Sequence, residues 1–89
     1  MMNIEVINNL HIKEAALIID EQGIPKKFVW SQYYVIVNDK EYQFKYLIRI
    51  AYQLATNEEF DFQSNDSVRK YIGDLGFEIR YYEGGYNFF

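Results

Sequence analysis

The sequence contains no cysteine, so disulfide bonds and thiolate metal sites are excluded. It has a single histidine, His11, which excludes a metal site built from several imidazoles. No run of about 18 apolar residues is present, and this excludes a membrane-spanning helix of ordinary length. The first residues also lack the basic and apolar regions of a secretory signal, so we expect a cytoplasmic protein with no membrane partner.

Proline and tryptophan occur once each, whereas nine tyrosines and seven phenylalanines raise the aromatic share to 19%. A chain of 89 residues is long enough for one small domain, and we expect residues 1–89 to form a single domain. The core of so small a domain cannot enclose all of these rings. Some must therefore lie on the surface, where exposed aromatic side chains often mark recognition.

The net charge of −4 argues against a strong general nucleic-acid binder, but the charges are unevenly distributed. Residues 1–22 carry a net charge of −3 and residues 57–89 a net charge of −4, whereas residues 23–56 carry +3. The cations of this middle segment are Lys26, Lys27, Lys40, Lys45 and Arg49. The segment is either a basic recognition surface or a chance clustering of solvated side chains.

Three segments have the apolar spacing of amphipathic helices. The residues predicted to face inward are Ile12, Ala15, Ala16 and Ile19 in the first helix, Phe44, Leu47, Ile48, Ala51, Leu54 and Ala55 in the second, and Val68, Tyr71, Ile72 and Leu75 in the third. Gly23 and Gly76 are natural helix ends, and Asn65 or Asp66 can cap the third helix. The segment NIEVINNL before the first helix fits either a short strand or an extra helical turn.

The segment KFVWSQYYVIVNDKEYQF predicts a β-hairpin because it is rich in β-branched and aromatic residues. With Asn38-Asp39 as a two-residue turn, Val37 pairs with Lys40 and Val35 pairs with Tyr42. Alternation places Ser31, Tyr33, Val35 and Tyr42 on one face of the hairpin and Trp30, Tyr34, Ile36 and Glu41 on the other. The pattern leaves open which face covers the core.

The segment FEIRYY alternates as a further strand, and Glu83-Gly84-Gly85 offers a turn that would lead into YNFF. The predicted order of elements is α-β-β-α-α-β. We therefore predict an α+β fold, a small single domain with a short antiparallel sheet packed against helices.

Residues capable of catalysis or metal binding form no familiar motif in this chain. His11 has no orienting partner nearby and is predicted to precede or begin the first helix as an ordinary polar residue. The acidic cluster Glu58, Glu59 and Asp61 lacks the spacing of a calcium loop and is predicted to be a solvated loop. We predict no catalytic residues, no metal, no cofactor and no enzymatic activity, with a small hydrolase as the least favoured function.

Lys45 lies where the second helix is expected to begin, although a helix N-terminus already carries about half a positive charge. A lysine beside free backbone N–H groups suits an anion such as a nucleic-acid phosphate. Arg49, one turn further on, and Tyr52 beyond it would extend this surface. In the alternative interpretation Lys45 pairs with Glu41 or covers Tyr42, and the aromatic residues only fill the core.

The order of several short motifs resembles the N-terminal head domain of McrA-type modification-dependent restriction endonucleases. The motifs are IIDEQGIP, SQYYVIVNDKEYQFK, IAYQLATNEEFDF and YIGDLGFEI, and the resemblance spans residues 12–79. The matching positions are Gly23, Ser31, Tyr34, Tyr42, Lys45, Ala51, Thr56, Leu75, Gly76 and Phe77. Two positions depart from the family: Gln43-Phe44 replaces its proline before the lysine, and Asn57 stands where glycine usually follows the threonine.

The resemblance implies a DNA-binding accessory or reader domain at the N-terminus of a longer restriction protein. In that family the domain precedes separate modules that recognise modified DNA or cut it, so the resemblance implies a downstream nuclease or NTPase domain in the same protein. No nuclease activity is carried over, because no nuclease motif lies in these residues.

Basic side chains would contact phosphates, and exposed rings would stack on bases or line a base pocket. The residues expected to contact DNA are Lys26, Lys27, Trp30, Ser31, Tyr34, Lys40, Tyr42, Lys45 and Arg49. The alternative is a protein-interaction or homodimerisation module of a defence protein, without direct DNA contact.

Overall fold

The computed structural model describes residues 4–26, 32–59 and 66–82. Within these residues the helices are α1 (Asn9–Gln22), α2 (Phe44–Thr56) and α3 (Asp66–Asp74), and a turn of 3-10 helix (Ile4–Val6) precedes α1. The strands are β1 (Tyr33–Val37), β2 (Lys40–Gln43) and β3 (Glu78–Tyr81). The α+β class and the order α-β-β-α-α-β are confirmed. The segment that fitted a strand or a helical turn before α1 forms the helical turn.

The three strands form one antiparallel sheet in the order β2-β1-β3. The hairpin has the predicted register, with Val37 opposite Lys40 and Val35 opposite Tyr42. Its turn is formed by Asn38 and Asp39, whose φ angles of 52° and 66° are both left-handed. Two left-handed central residues are the requirement of the type I′ turn, whose twist matches that of the strands, and Asn and Asp adopt this conformation at little cost.

The helices cover the face of the sheet that carries Val35, Val37 and Tyr42, which settles the choice that the alternation left open. The buried apolar residues around this face are Ile7, Ile12, Ala15, Ala16, Phe44, Leu47, Ile48, Ala51, Tyr52, Val68 and Ile72. Ile19, Tyr71 and Leu75 pack against them while staying partly exposed. The helical stripes predicted from the sequence therefore form the core.

The buried arc of α2 differs from the prediction at its edges. Tyr52 is buried in the core, whereas Leu54 lies at the surface. The buried residues of α2 are Phe44, Leu47, Ile48, Ala51 and Tyr52. Compared with the predicted stripe, the buried face of the helix is rotated towards Tyr52 and away from Leu54. Tyr52 therefore does not extend the exposed basic surface as the sequence suggested.

Side-chain and backbone caps explain where α1 begins and ends. Asn8 accepts hydrogen bonds from the N–H groups of Leu10 and His11, and its own N–H donates to His11 Nδ1 at 3.0 Å. Gly23 ends the helix with φ 75°, and its N–H donates to Ile19 at 2.7 Å. His11 thus has the ordinary structural role at the start of the first helix that the sequence predicted.

Asn57 ends α2 in the left-handed conformation, with φ 63° and its N–H donating to the carbonyl of Gln53 at 2.7 Å. Asparagine and glycine are the residues that adopt this conformation most readily at a helix end. Asn57 therefore has a residue type that suits the left-handed end of α2.

We expect Asn57→Ala to lower the free energy of unfolding by about 1 kcal/mol, because alanine is strained at a left-handed position. Asn57→Gly is expected to leave stability equal or slightly higher. Urea denaturation of both variants measures the difference, and Glu58→Ala, at the next exposed position, serves as the control. Equal stabilities for the alanine and glycine variants would contradict the assignment of the cap.

Some sequence predictions concern residues outside the described ranges. They include the cap at Asn65, the turn at Glu83-Gly84-Gly85 and the segment YNFF. Across the described parts of the chain, no helix has both the length and the apolar character that crossing a membrane requires.

Candidate nucleic-acid interface

The start of α2 is fixed by the residue before it. Gln43 is buried, and its side-chain oxygen accepts a hydrogen bond from the N–H of Tyr46 at 2.7 Å. Phe44 follows as the first helical residue and is fully buried. Because Gln43 and Phe44 hold this end of the helix against the sheet, the position of Lys45 in the first turn is fixed by packing.

Lys45 and Arg49 lie one turn apart on α2, next to the edge of its buried face that Tyr52 forms. Both side chains are half-buried, which allows their aliphatic stems to cover apolar surface while the charged groups reach solvent. The helix contains no aspartate or glutamate, so its own side chains carry only positive charge. This is the basic face that the sequence predicted.

Glu41, the carboxylate that the sequence offered as a partner for Lys45, is engaged elsewhere. Its side chain accepts hydrogen bonds from Arg80 Nη1 at 2.9 Å and from the hydroxyl of Tyr82. Among the residues that the structure describes, no carboxylate lies within ion-pair distance of Lys45. The interpretation in which Lys45 is neutralised by Glu41 is therefore not the arrangement observed.

Lys40, in the hairpin, has a carboxylate partner. Its ammonium group lies 3.6 Å from Asp20 of α1, and the same carboxylate accepts a hydrogen bond from the hydroxyl of Tyr42 at 2.8 Å. The pair is largely exposed to solvent and is a weak ion pair. It nevertheless offsets the charge that Lys40 was expected to contribute to DNA attraction.

Tyr34 and Tyr42 were expected to offer rings for base stacking, and the structure buries both. Tyr42 is 6% exposed within the core, and Tyr34 is 3% exposed on the other face of the sheet. The ring of Tyr34 packs edge-on against Tyr82 at 5.6 Å. In these positions neither ring has an open face for a base.

Burial raises the pKa of Tyr42 to about 12, and the hydrogen bond to Asp20 acts in the same direction. Both effects favour the neutral phenol over the phenolate. On the opposite face of the sheet, the hydrogen bond to Glu41 raises the pKa of Tyr82 above its ordinary value. Both tyrosines therefore act as hydrogen-bond donors at neutral pH.

The other expected contact residues are placed as follows. Lys26 is exposed, shortly after the end of α1. Lys27, Trp30 and Ser31 lie outside the described residues. The described part of the candidate interface thus consists of Lys45, Arg49 and Lys26.

One aromatic cluster was not identified from the sequence. Tyr81, half exposed at 51%, packs against Tyr33 across the β1–β3 pair with ring centroids 5.0 Å apart. The guanidinium of Arg69 lies 3.9 Å from the centroid of the Tyr33 ring and pairs with Asp66. The strand pattern of FEIRYY predicted Tyr81 in a strand, but the sequence did not reveal that this strand pairs with β1.

No family model, curated protein or solved structure matches this chain. Within the described residues, no group of three or more acidic or histidine side chains is arranged to hold a metal ion. Glu58 and Glu59 of the acidic cluster are exposed, and Asp61 lies outside the described residues. The chemistry that Lys45 and Arg49 can perform is the electrostatic binding of an anion.

Proposed function

We propose that this domain contacts the phosphate backbone of DNA through Lys45 and Arg49 on α2, as an accessory module of a modification-dependent restriction system. Lys26 and Lys27 would add longer-range attraction. The phosphate contact is supported by one observation above all: Lys45 lies in the first turn of α2 with no carboxylate partner among the described residues. The restriction context is supported by the sequence resemblance over residues 12–79.

The position of Lys45 is unfavourable for the folded domain by itself. A cation in the first turn of a helix opposes the helix dipole, at a cost of about 0.3–1 kcal/mol. Lys45 and Arg49 are also like charges four residues apart, which costs about 0.2–0.5 kcal/mol in an isolated helix. A phosphate bound beside Lys45 removes the first of these penalties and reduces the second, because it supplies negative charge at the start of the helix.

We expect the affinity for a short DNA duplex to fall as salt is raised. Two phosphate contacts predict a log–log slope of about −1.8, so affinity should fall roughly tenfold between 50 and 200 mM salt. Fluorescence anisotropy with a labelled duplex measures this dependence. Plain, cytosine-methylated, hydroxymethylated and adenine-methylated duplexes compared at one salt concentration show whether a modification is read. Affinity that does not change over this salt range would refute the phosphate contact.

Lys45→Met removes the charge and keeps an apolar stem of similar length. We expect it to weaken binding by roughly eightfold at 0.1 M salt and to bring the slope to about −0.9, because one phosphate contact is lost. The same variant should gain about 0.3–1 kcal/mol of stability, because the charge opposing the helix dipole is gone.

Lys70→Met is the matched control for Lys45→Met. Lys70 is an exposed helical lysine that pairs with Asp74 at 3.1 Å on α3. This control should leave DNA affinity unchanged. An equal loss of affinity in both variants would show that only net charge matters, and would count against a site at Lys45.

A second candidate function is protein interaction, which the exposed leucines of α1 favour. Leu10 and Leu17 are the most exposed of the large apolar side chains in the described residues. Exposed apolar side chains that form a continuous patch mark protein contact surfaces, whereas DNA contacts are made mainly by basic and polar groups. The two functions are compatible, because the leucines and Lys45 belong to different helices.

A further inference from the structure

Two leucines on α1 face solvent instead of the core. Leu10 is 62% exposed and Leu17 is 60% exposed. They are separated by seven residues, so they fall within about 20° of each other around the helix and form one line along it. The opposite side of α1 carries Ile12, Ala15 and Ala16, which are buried in the core. The leucine line therefore cannot be covered by this domain's own core.

Lys13 and Glu14 lie on either side of this leucine line. At about 100° per residue, they are displaced by roughly 50° in opposite directions from the line through Leu10 and Leu17. Both side chains are exposed, and among the described residues neither forms an ion pair. The outer face of α1 thus presents an apolar line with Lys13 on one side and Glu14 on the other. Asp20, two turns beyond Lys13 on the same side, pairs with Lys40 and accepts a hydrogen bond from Tyr42.

The charges on this face distinguish two ways in which a second copy could pack against it. A two-fold axis parallel to the helix places Lys13 of each copy beside Glu14 of the other, so this pair forms twice. An antiparallel arrangement places Lys13 beside Lys13 and Glu14 beside Glu14, which is repulsive on both sides. Only the parallel arrangement is complementary.

We propose that the outer face of α1 is a homodimer interface in which two copies pack in parallel, leucine against leucine and Lys13 against Glu14. Glu21 limits the apolar line one turn beyond Leu17, so the contact area is small. Interfaces at the low end of the size range are transient. A concentration-dependent equilibrium between monomer and dimer is therefore expected, and not an obligate dimer.

Single cysteine variants test the arrangement, because the chain has no cysteine of its own. Under oxidised glutathione as the electron acceptor, Leu10→Cys alone and Leu17→Cys alone should each form disulfide-linked dimers. An antiparallel dimer would link efficiently only in the mixture of the two variants, and that result would overturn the parallel arrangement. Lys70→Cys, on α3, controls for random collisions and should link at least several-fold more slowly.

Sedimentation equilibrium over a concentration series tests whether the leucine contacts and the Lys13–Glu14 pairs hold the dimer together. The double variant Leu10→Gln, Leu17→Gln should abolish association while its thermal melt shows a folded domain. Lys13→Glu should weaken association at least tenfold, because two glutamates then face each other. Adding Glu14→Lys should restore association, because residues 13 and 14 of the two copies again carry opposite charges. A protein that stays monomeric at every concentration, or a dimer that the leucine variants leave intact, would overturn the proposal.

The dimer proposal and the DNA proposal fail separately. Lys45→Met should dimerise like the unaltered chain, because Lys45 does not belong to α1. Loss of salt-dependent DNA binding would leave the interface on α1 untouched, and a strictly monomeric protein would leave the Lys45 contact untouched.

Discussion

Tyr42→Ala is expected to lower the free energy of unfolding by about 3–5 kcal/mol, the range for truncating a buried aromatic side chain. Tyr42 is 6% exposed in the core and bonds Asp20 of α1. A domain of this length has a total stability of roughly 5–13 kcal/mol, so the variant should be at the limit of folding. Urea denaturation measures the loss. Tyr81→Ala, at a half-exposed strand position, should lose no more than about 1 kcal/mol.

A second substitution at this position separates a core role from a base-stacking role. Tyr42→Leu keeps most of the apolar volume, so the domain should stay folded with a loss of about 1–3 kcal/mol. Leucine cannot stack on a base as an aromatic ring does. We therefore expect the folded Leu variant to keep its affinity for DNA. A large loss of affinity with folding intact would show that Tyr42 contacts the base after all.

The hairpin shows how much of this fold could be predicted from local sequence. The Asn38-Asp39 turn and the alternation around it fixed which residues pair, because turn chemistry and strand period are local properties. The helical stripes were predictable for the same reason. Which face of the hairpin is buried was not predictable, because both faces carry tyrosine, a residue with an apolar ring and a polar hydroxyl. On the face that is buried, the hydroxyl of Tyr42 donates to Asp20 of α1, an acceptor 22 residues away in the chain.

The surroundings of Lys45 could not be predicted from the sequence, because they depend on contacts between residues far apart in the chain. Glu41 is four residues from Lys45 and was the obvious partner by sequence. It is taken instead by Arg80, 39 residues away, because β3 pairs with the other side of β1 and brings Arg80 to the same face of the sheet. No local pattern predicts which strand will pair with which. The same long-range pairing brings Tyr81 beside Tyr33.

Taken together, these contacts divide the tyrosines by function. Tyr42 and Tyr34 stabilise the sheet, because their rings are buried on opposite faces of it. Trp30, the third ring that the sequence predicted to contact a base, lies outside the described residues. Lys45 and Arg49 of α2 would contribute charge to DNA binding and no aromatic ring. The proposal for DNA binding therefore emphasises phosphate contact over base reading in the described part of the chain.

Alkaline pH is expected to destabilise the domain through Tyr42. The pKa of its hydroxyl is raised to about 12 in the folded state, first by burial and then by the hydrogen bond to Asp20, against the ordinary value of 10.0. Since the folded state holds the proton more tightly, this contribution to stability is fully present below pH 10. It is lost as the pH rises from about 10 to 12, because the unfolded chain is then favoured by ionisation. A separation of two pKa units corresponds to a loss on the order of 3 kcal/mol.

Tyr42→Phe isolates this contribution, since phenylalanine fills the same space and does not ionise. At pH 8 the variant should be less stable by about 0.5–1.5 kcal/mol, the net value of the lost hydrogen bond. As pH rises above 10, the stability of the unaltered protein should fall relative to that of the variant. The two curves should converge and then cross, because the loss on ionisation exceeds the net value of the hydrogen bond. Urea denaturation at half-unit steps from pH 8 to pH 11.5 measures both curves. Parallel curves would mean that Tyr42 ionises as easily in the folded domain as in the unfolded chain, and that its hydroxyl is not held by Asp20 in solution.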